Sequence, residues 1–226
     1  MPDTSRLGIG SPQVALQIDR AIEILKAGGI VAFPTDTVYG LGGDAFNGEA
    51  AERIYVVKQR SRYLPLPVLV ADTTQVTAVV DSVSEVAQLL MKHFWPGGLT
   101  LVLPKAASLP DIITAGGEKV AIRIPNHLVP LTIIRRLSVP IIGTSANISD
   151  TPSAVTAQDV EQQLGNQIDL VIDMGRCPGG LESTVVDVTG EKPVVLRQGI
   201  IPEDEIERVY QEYAKEVGRS AHCSGL

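Results

Sequence analysis

The sequence predicts an α/β protein: a single domain built on a twisted, mixed β-sheet flanked by helices. Three observations carry that reading. Helical and strand-like hydrophobic patterns alternate between residues 11 and 217 with no linker longer than a loop. Several later strand patterns follow one another without an intervening helix, which a purely parallel sheet does not allow. Hydrophobic residues make up 44% of the 226 and aromatics only 4%, so the core is extensive and aliphatic.

The elements follow in order. Residues 1–10 read as a flexible tail. Ser11 and Pro12 pair a capping residue with a proline at the first helical position, and Val14, Ile18, Ala21, Ile22 and Leu25 recur at helical spacing until Gly28-Gly29. Ile30 to Phe33 is a buried strand. Asn47 caps a helix through Val57, and Leu66 to Ala71 is a strand. Ser82 and Glu85 have capping-box spacing ahead of Val86, Leu89, Leu90 and Phe94. Trp95 to Gly98 turns sharply into a strand from Leu99 to Leu103. Val120 to Ile124 is a strand, Leu128 to Leu137 a helix, and Pro140 to Thr144 a strand entering a polar turn. Thr156 caps a helix that ends at Gly165. Leu170 to Asp173, Thr184 to Val188 and Val194 to Arg197 are strands. Pro202 opens a helix with Ile206, Val209, Tyr210, Tyr213 and Val217 on one stripe, and residues 218–226 read as a second flexible tail. The total is about seven strands and about six helices.

Composition and motif searches exclude several function classes. A net charge of −7 argues against broad binding to a phosphate backbone, and three Phe, five Tyr and one Trp leave few stacking platforms. No apolar run of about 18 residues is present, so no membrane span is expected, and the N-terminus shows no secretory signal. Two cysteines, Cys177 and Cys223, fit a reducing cytosol, so a cytoplasmic location is expected. There is no Walker-type phosphate loop, and the Gly8-x-Gly10 start of a dinucleotide fingerprint is broken by Ser11-Pro12-Gln13. Ser145 has Asn147 where a hydrolase elbow needs glycine. His93, His127 and His222 lack ligand spacing, so no protein-built metal site is expected, and His127 reads as a residue at a helix start.

Polar groups gather where an open α/β sheet binds ligands, at strand ends. They lie in Pro34 to Gly43, Lys58-Gln59-Arg60, Arg123, Gly143 to Ser153, Glu182-Ser183-Thr184 and Arg197. Each segment taken alone reads equally well as a turn, a solvated helix end or an exposed strand position. Together, Lys58, Arg60, Arg123 and Arg197, with several hydroxyls, in so acidic a chain, predict one concave electropositive cavity for a small anion.

The segments Pro34-Thr35-Asp36-Thr37-Val38-Tyr39-Gly40-Leu41, Lys58-x-Arg60, Phe94-Trp95-Pro96-Gly97-Gly98-Leu99-Thr100, Arg123-Ile124-Pro125, Thr144-Ser145-Ala146-Asn147-Ile148-Ser149, Glu182 to Asp187 and Leu196-Arg197-Gln198-Gly199 occur in that order. Over about residues 11 to 215 the chain resembles the YrdC/Sua5 family of threonylcarbamoyl-AMP synthases, in its short YrdC-like form. The resemblance implies a YrdC-like fold and the substrates L-threonine, bicarbonate or CO2, and ATP with Mg2+. It implies threonylcarbamoyl-adenylate and pyrophosphate as products, and downstream proteins that transfer the group to adenosine 37 of tRNAs reading ANN codons. By motif, Thr35, Thr37, Arg123, Gly143 and Ser183 correspond to threonine contacts. Lys58, Arg60, Ser145, Asn147, Ser153 and Arg197 correspond to ATP contacts, with Lys58 and Arg60 as the catalytic cations. Asp36 is an outer-sphere partner for Mg2+ in the same reading. The chain departs from many members at Leu64 and at Leu69 or Val70, where a polar residue and a histidine stand in others. Two alternatives remain beside this reading: an RNA-binding module of the same fold, with weak RNA contact, and a related carbamoyl-transfer enzyme.

Overall fold

The computed structural model describes residues 12–223, with side chains through Glu216. The expected N-terminal tail and the Ser11 cap therefore lie outside the described residues. The helices are α1 (Pro12–Lys26), α2 (Gly48–Val57), α3 (Glu85–Phe94), α4 (Leu128–Leu137), α5 (Ala157–Leu164) and α6 (Glu203–Cys223). The strands are β1 (Val31–Phe33), β2 (Gly40–Gly42), β3 (Val68–Leu69), β4 (Leu99–Pro104), β5 (Lys119–Arg123), β6 (Ile141–Ile142), β7 (Thr144–Ser145), β8 (Leu170–Val171), β9 (Thr184–Asp187) and β10 (Val194–Arg197).

Local chemistry sets the helix ends. Val14, Ile18, Ala21, Ile22 and Leu25 form the buried stripe of α1. The Asn47 side chain accepts the Glu49 and Ala50 amides at the start of α2. His127 starts α4, its Nδ1 accepting the Val129 amide at 3.2 Å. Thr156 and Asp159 cap α5 reciprocally. At α3 the cap is Ser84, not the Ser82 that the spacing favoured: Ser84 adjoins the first helical residue and its hydroxyl accepts the Ala87 amide at 3.2 Å. Glu85 becomes that first residue, where its charge meets the helix N-terminus. The backbone of α6 runs on to Cys223, past residue 218 where a tail was expected; Gly218 within it is a cost rather than a stop.

The strands form two mixed sheets. Four strands run in the order β7-β2-β1-β8 and six in the order β10-β9-β4-β5-β3-β6. β1 with β8, β3 with β5, and β4 with β9 are parallel pairs; the other pairs are antiparallel. There are two sheets where the pattern reading expected one, because short strands on either side of a glycine join different partners, and two further features differ from it. The expected strand from Pro140 to Thr144 divides at Gly143, so that β6 ends one sheet and β7 begins the other. β2, Gly-Leu-Gly, carries no strand propensity and was not expected. Its partner makes it a strand: Phe33 ↔ Gly40 and Val31 ↔ Gly42 are in register, and the Phe33 ring lies where a Cβ at either glycine would sit, at 2.9 and 2.7 Å. The core between sheets and helices is aliphatic, with Ile18, Leu25, Ile54, Leu90 and Leu101 fully buried. This frame brings the C-terminal ends of β1, β5 and β10, the start of β9 and the β6–β7 crossing to one cleft.

Candidate active site

A cavity of about 310 Å³ opens at that cleft. Lys58, Arg60, Arg123 and Arg197 all line it, with Thr37, Gly143, Ser145, Asn147 and Ser183. Residues far apart in sequence meet here because each follows the end of a rigid element.

Lys58 closes α2, its amide bonded to the Ile54 carbonyl, and Gln59 takes a left-handed conformation (φ 51°) that turns the chain before Arg60. The Lys58 side chain is 1% exposed. Its ammonium donates to the carbonyls of Ser145 and Asn147, the latter at 2.6 Å, and so ties α2 to the β6–β7 crossing. Burial pushes its pKa down to about 8; Arg60 acts in the same direction and Glu182 opposes. Arg60 donates to the Pro65 carbonyl at 2.9 Å, and burial lowers its pKa as well.

Arg123 ends β5 and is 6% exposed, a buried cation rather than a solvated strand residue. Its Nε donates to the Gly97 carbonyl at 2.8 Å, Nη1 to the Thr37 hydroxyl at 2.9 Å, and Nη2 to Asp36 at 2.6 Å. Asp36 also accepts the Asn126 amide at 3.0 Å. Its carboxylate therefore orients Arg123. One N–H on each terminal nitrogen of Arg123 remains for a ligand.

Thr35 and Ser153 stand behind the wall rather than on it. The Thr35 hydroxyl donates to the Val38 carbonyl at 2.6 Å and accepts the Thr37 amide at 3.0 Å, so it props Thr37. The Ser153 hydroxyl donates to Glu182 at 2.6 Å. Gly143 gives its N–H to Pro67, which leaves its carbonyl as the backbone group for a ligand. It must be glycine: a Cβ would lie 2.2 Å from Cγ of Leu69. Asn147 is buried on the cavity wall, its amide nitrogen donating to the Ile148 and Thr151 carbonyls and its side-chain oxygen accepting from Lys58 at 3.5 Å, so it shapes the loop. Ser183 shares a 2.8 Å bond with Thr100 and receives Arg197 at 3.4 Å.

Three polar lining residues, Thr100, Ser149 and Glu182, lay in segments singled out from the sequence but were given no role of their own. Thr100 lay within a quoted motif and is placed by β4 beside Ser183. The Ser149 hydroxyl is buried without a partner among the described residues. Glu182 brings a carboxylate to the wall, paired with Arg197. Nothing in the spacing distinguishes an acid facing the cavity from one facing solvent.

The arrangement suits a ligand with several negative groups. Four cations and a set of hydroxyls surround the cavity. Cys177 is a buried free thiol whose pKa burial raises to about 11. No helix among the described residues is long and apolar enough to cross a membrane.

Residues 23–199 match the model of the Sua5/yciO/yrdC family, described as telomere recombination. The threonylcarbamoyl-AMP synthase of Pyrococcus abyssi is 43% identical over 192 residues, 85% of this chain and 56% of that protein. That of Bacillus subtilis is 42% identical over 207 residues, 91% of this chain and 59% of that protein. The chain thus spans a little over half the length of these relatives. A crystal structure of P. abyssi Sua5 complexed with L-threonine superposes with a TM-score of 0.83 at 43% identity, covering 85% of this chain and 56% of that one. With the ordered motifs and the two mixed sheets behind it, this similarity shows that the chain belongs to the Sua5/YciO/YrdC family.

Proposed function

We propose that the chain is a threonylcarbamoyl-AMP synthase, an enzyme of the nucleotidyltransferase kind. It joins L-threonine, bicarbonate or CO2, and ATP into threonylcarbamoyl-adenylate and releases pyrophosphate. The observation that carries the reading is the convergence of Lys58, Arg60, Arg123 and Arg197 on one cavity with Thr37 and Ser183. The names of the relatives and the threonine bound in the P. abyssi structure support it.

In this reading Arg123, held by Asp36 and Thr37, pairs with the threonine carboxylate through its remaining N–H groups. The neutral threonine amine attacks CO2 and, losing a proton, becomes an N-carboxylate. One of its oxygens attacks the α-phosphorus of ATP, and the bond to the bridging oxygen breaks with pyrophosphate as leaving group. Both nucleophiles belong to the substrates, so the protein positions two anions and stabilises phosphoryl charge. Lys58, Arg60 and Arg197 supply that charge beside Ser145 and Ser149. Mg2+ enters with ATP. The cavity carboxylates are Asp150 and Glu182, the latter already bound by Ser153 and Arg197, and the described residues hold no cluster of three or more metal-ligating side chains. They do not fit a protein-built magnesium site, and no step here runs through the metal.

In this reading the product is an activated acyl donor for downstream transfer proteins acting on tRNA, and the location proposed for it is the cytoplasm. The test is pyrophosphate release by purified protein with ATP, Mg2+ and bicarbonate. Release that depends on threonine supports the reading. Carbamoyl phosphate use supports carbamoyl transfer instead, and steeply salt-dependent RNA binding without turnover supports an RNA-binding module.

A further inference from the structure

Glu182 lies on the cavity wall with its carboxylate among the cations. One oxygen accepts the Ser153 hydroxyl at 2.6 Å and the other pairs with Arg197. The Ser145 hydroxyl and the Lys58 ammonium act on the same carboxylate. These are four of the six residues read above as ATP contacts; Ser153 and Arg197 donate to the carboxylate directly, while the Lys58 ammonium donates to the Ser145 and Asn147 carbonyls and acts on it by charge alone. Burial pushes the carboxyl pKa up, and these partners outweigh it and hold the group below the ordinary range.

The backbone at this position is fixed. The Ile200 amide donates to the Glu182 carbonyl at 2.9 Å, and Gly199 passes so close that a Cβ there would lie 2.2 Å from that carbonyl oxygen. The side chain, 30% exposed, is what can rotate toward solvent. Two anions cannot share one set of donors without strong repulsion, so one of them must leave.

Resting on the nucleotide reading of the cavity, we infer that Glu182 is a resident counter-ion that occupies the phosphate position and must swing out when a nucleotide binds. It neutralises Arg197 and Lys58 in the meantime and sets a threshold: a weakly held anion does not displace it, and a polyanion with many contacts does. Glu182 is thus a specificity-determining residue.

Glu182→Gln keeps the shape and removes the charge. Wild type and variant are titrated by calorimetry with ATP and Mg2+, and separately with adenosine, without threonine or bicarbonate. ATP is expected to bind the variant about tenfold more tightly, with adenosine affinity unchanged. Glu182→Ala, which removes the carboxylate outright, is expected to shift ATP affinity in the same direction, and keeps the test open should the first variant fold poorly. ATP binding to wild type with equal or weaker binding to both variants overturns the counter-ion role and leaves the nucleotide reading standing. An equal gain for ATP and adenosine overturns it too, because the gain is then unrelated to phosphate charge. ATP binding to none of the three removes the nucleotide reading and the inference with it.

Discussion

Arg123 and Thr37 stand 86 positions apart and meet at 2.9 Å, guanidinium to hydroxyl. The contact joins the end of β5 to the loop between β1 and β2, and so ties the two sheets together across the cavity. Asp36 completes it from the other side of the guanidinium.

Arg123→Ala is expected to abolish threonine binding and to leave the Asp36 carboxylate without its cation, costing about 3 kcal/mol of stability. Arg123→Lys keeps the charge but cannot reach Gly97, Thr37 and Asp36 at once, and is expected to lose most threonine affinity with a smaller stability loss. Calorimetry and urea unfolding read the two effects. Wild-type threonine affinity in either variant contradicts the assignment.

Lys58 makes stability depend on alkaline pH. Its folded pKa of about 8 lies below the ordinary 10.5, so between those values the unfolded chain binds more protons than the folded one. The destabilisation is fully present below pH about 8 and is relieved as pH rises toward 10.5. Relative to Lys58→Met, wild type is expected to gain on the order of 3 kcal/mol across that window. Parallel curves of unfolding free energy against pH for the two proteins contradict a depressed Lys58.

Gly143→Ala forces a Cβ to within 2.2 Å of the Leu69 side chain. The expected cost is about 1–3 kcal/mol, together with weaker threonine binding as the cavity wall shifts. Leu69→Ala in the same chain makes room and is expected to restore part of both. A double-mutant cycle with no coupling contradicts the contact.

Arg60→Ala is expected to lower kcat/KM by more than about tenfold, since charge-assisted contacts contribute roughly 1.5–3 kcal/mol each. Unchanged kcat/KM in steady-state pyrophosphate release removes Arg60 from the site.

The sequence made legible whatever local chemistry decides. The Asn47 and Thr156 caps, the stripe of α1 and the bounds of α4 are set by neighbouring residues and stand where the pattern places them. What tertiary pairing decides was hidden. Gly40–Gly42 is a strand because β1 and β7 pair with it on either side and Phe33 covers it, and the division of one apolar run at Gly143 depends on which sheet each half joins. At the site, the cations were visible as charges out of place in a −7 chain. The facing of Glu182, the support Thr35 gives to Thr37 and the lone hydroxyl of Ser149 depend on rotamers and neighbours far along the chain.

The central claim is that this cavity holds an amino acid and a nucleotide side by side and joins them through one carboxyl carbon. Incubation of the purified chain with ATP, Mg2+, 13C-bicarbonate and each amino acid in turn, followed by mass spectrometry, tests it most directly. The expected result is an adenylate that carries threonine and one labelled carbon, formed with threonine and absent or scarce with the other amino acids. An adenylate lacking the labelled carbon, or none with any amino acid while ATP binds, contradicts it.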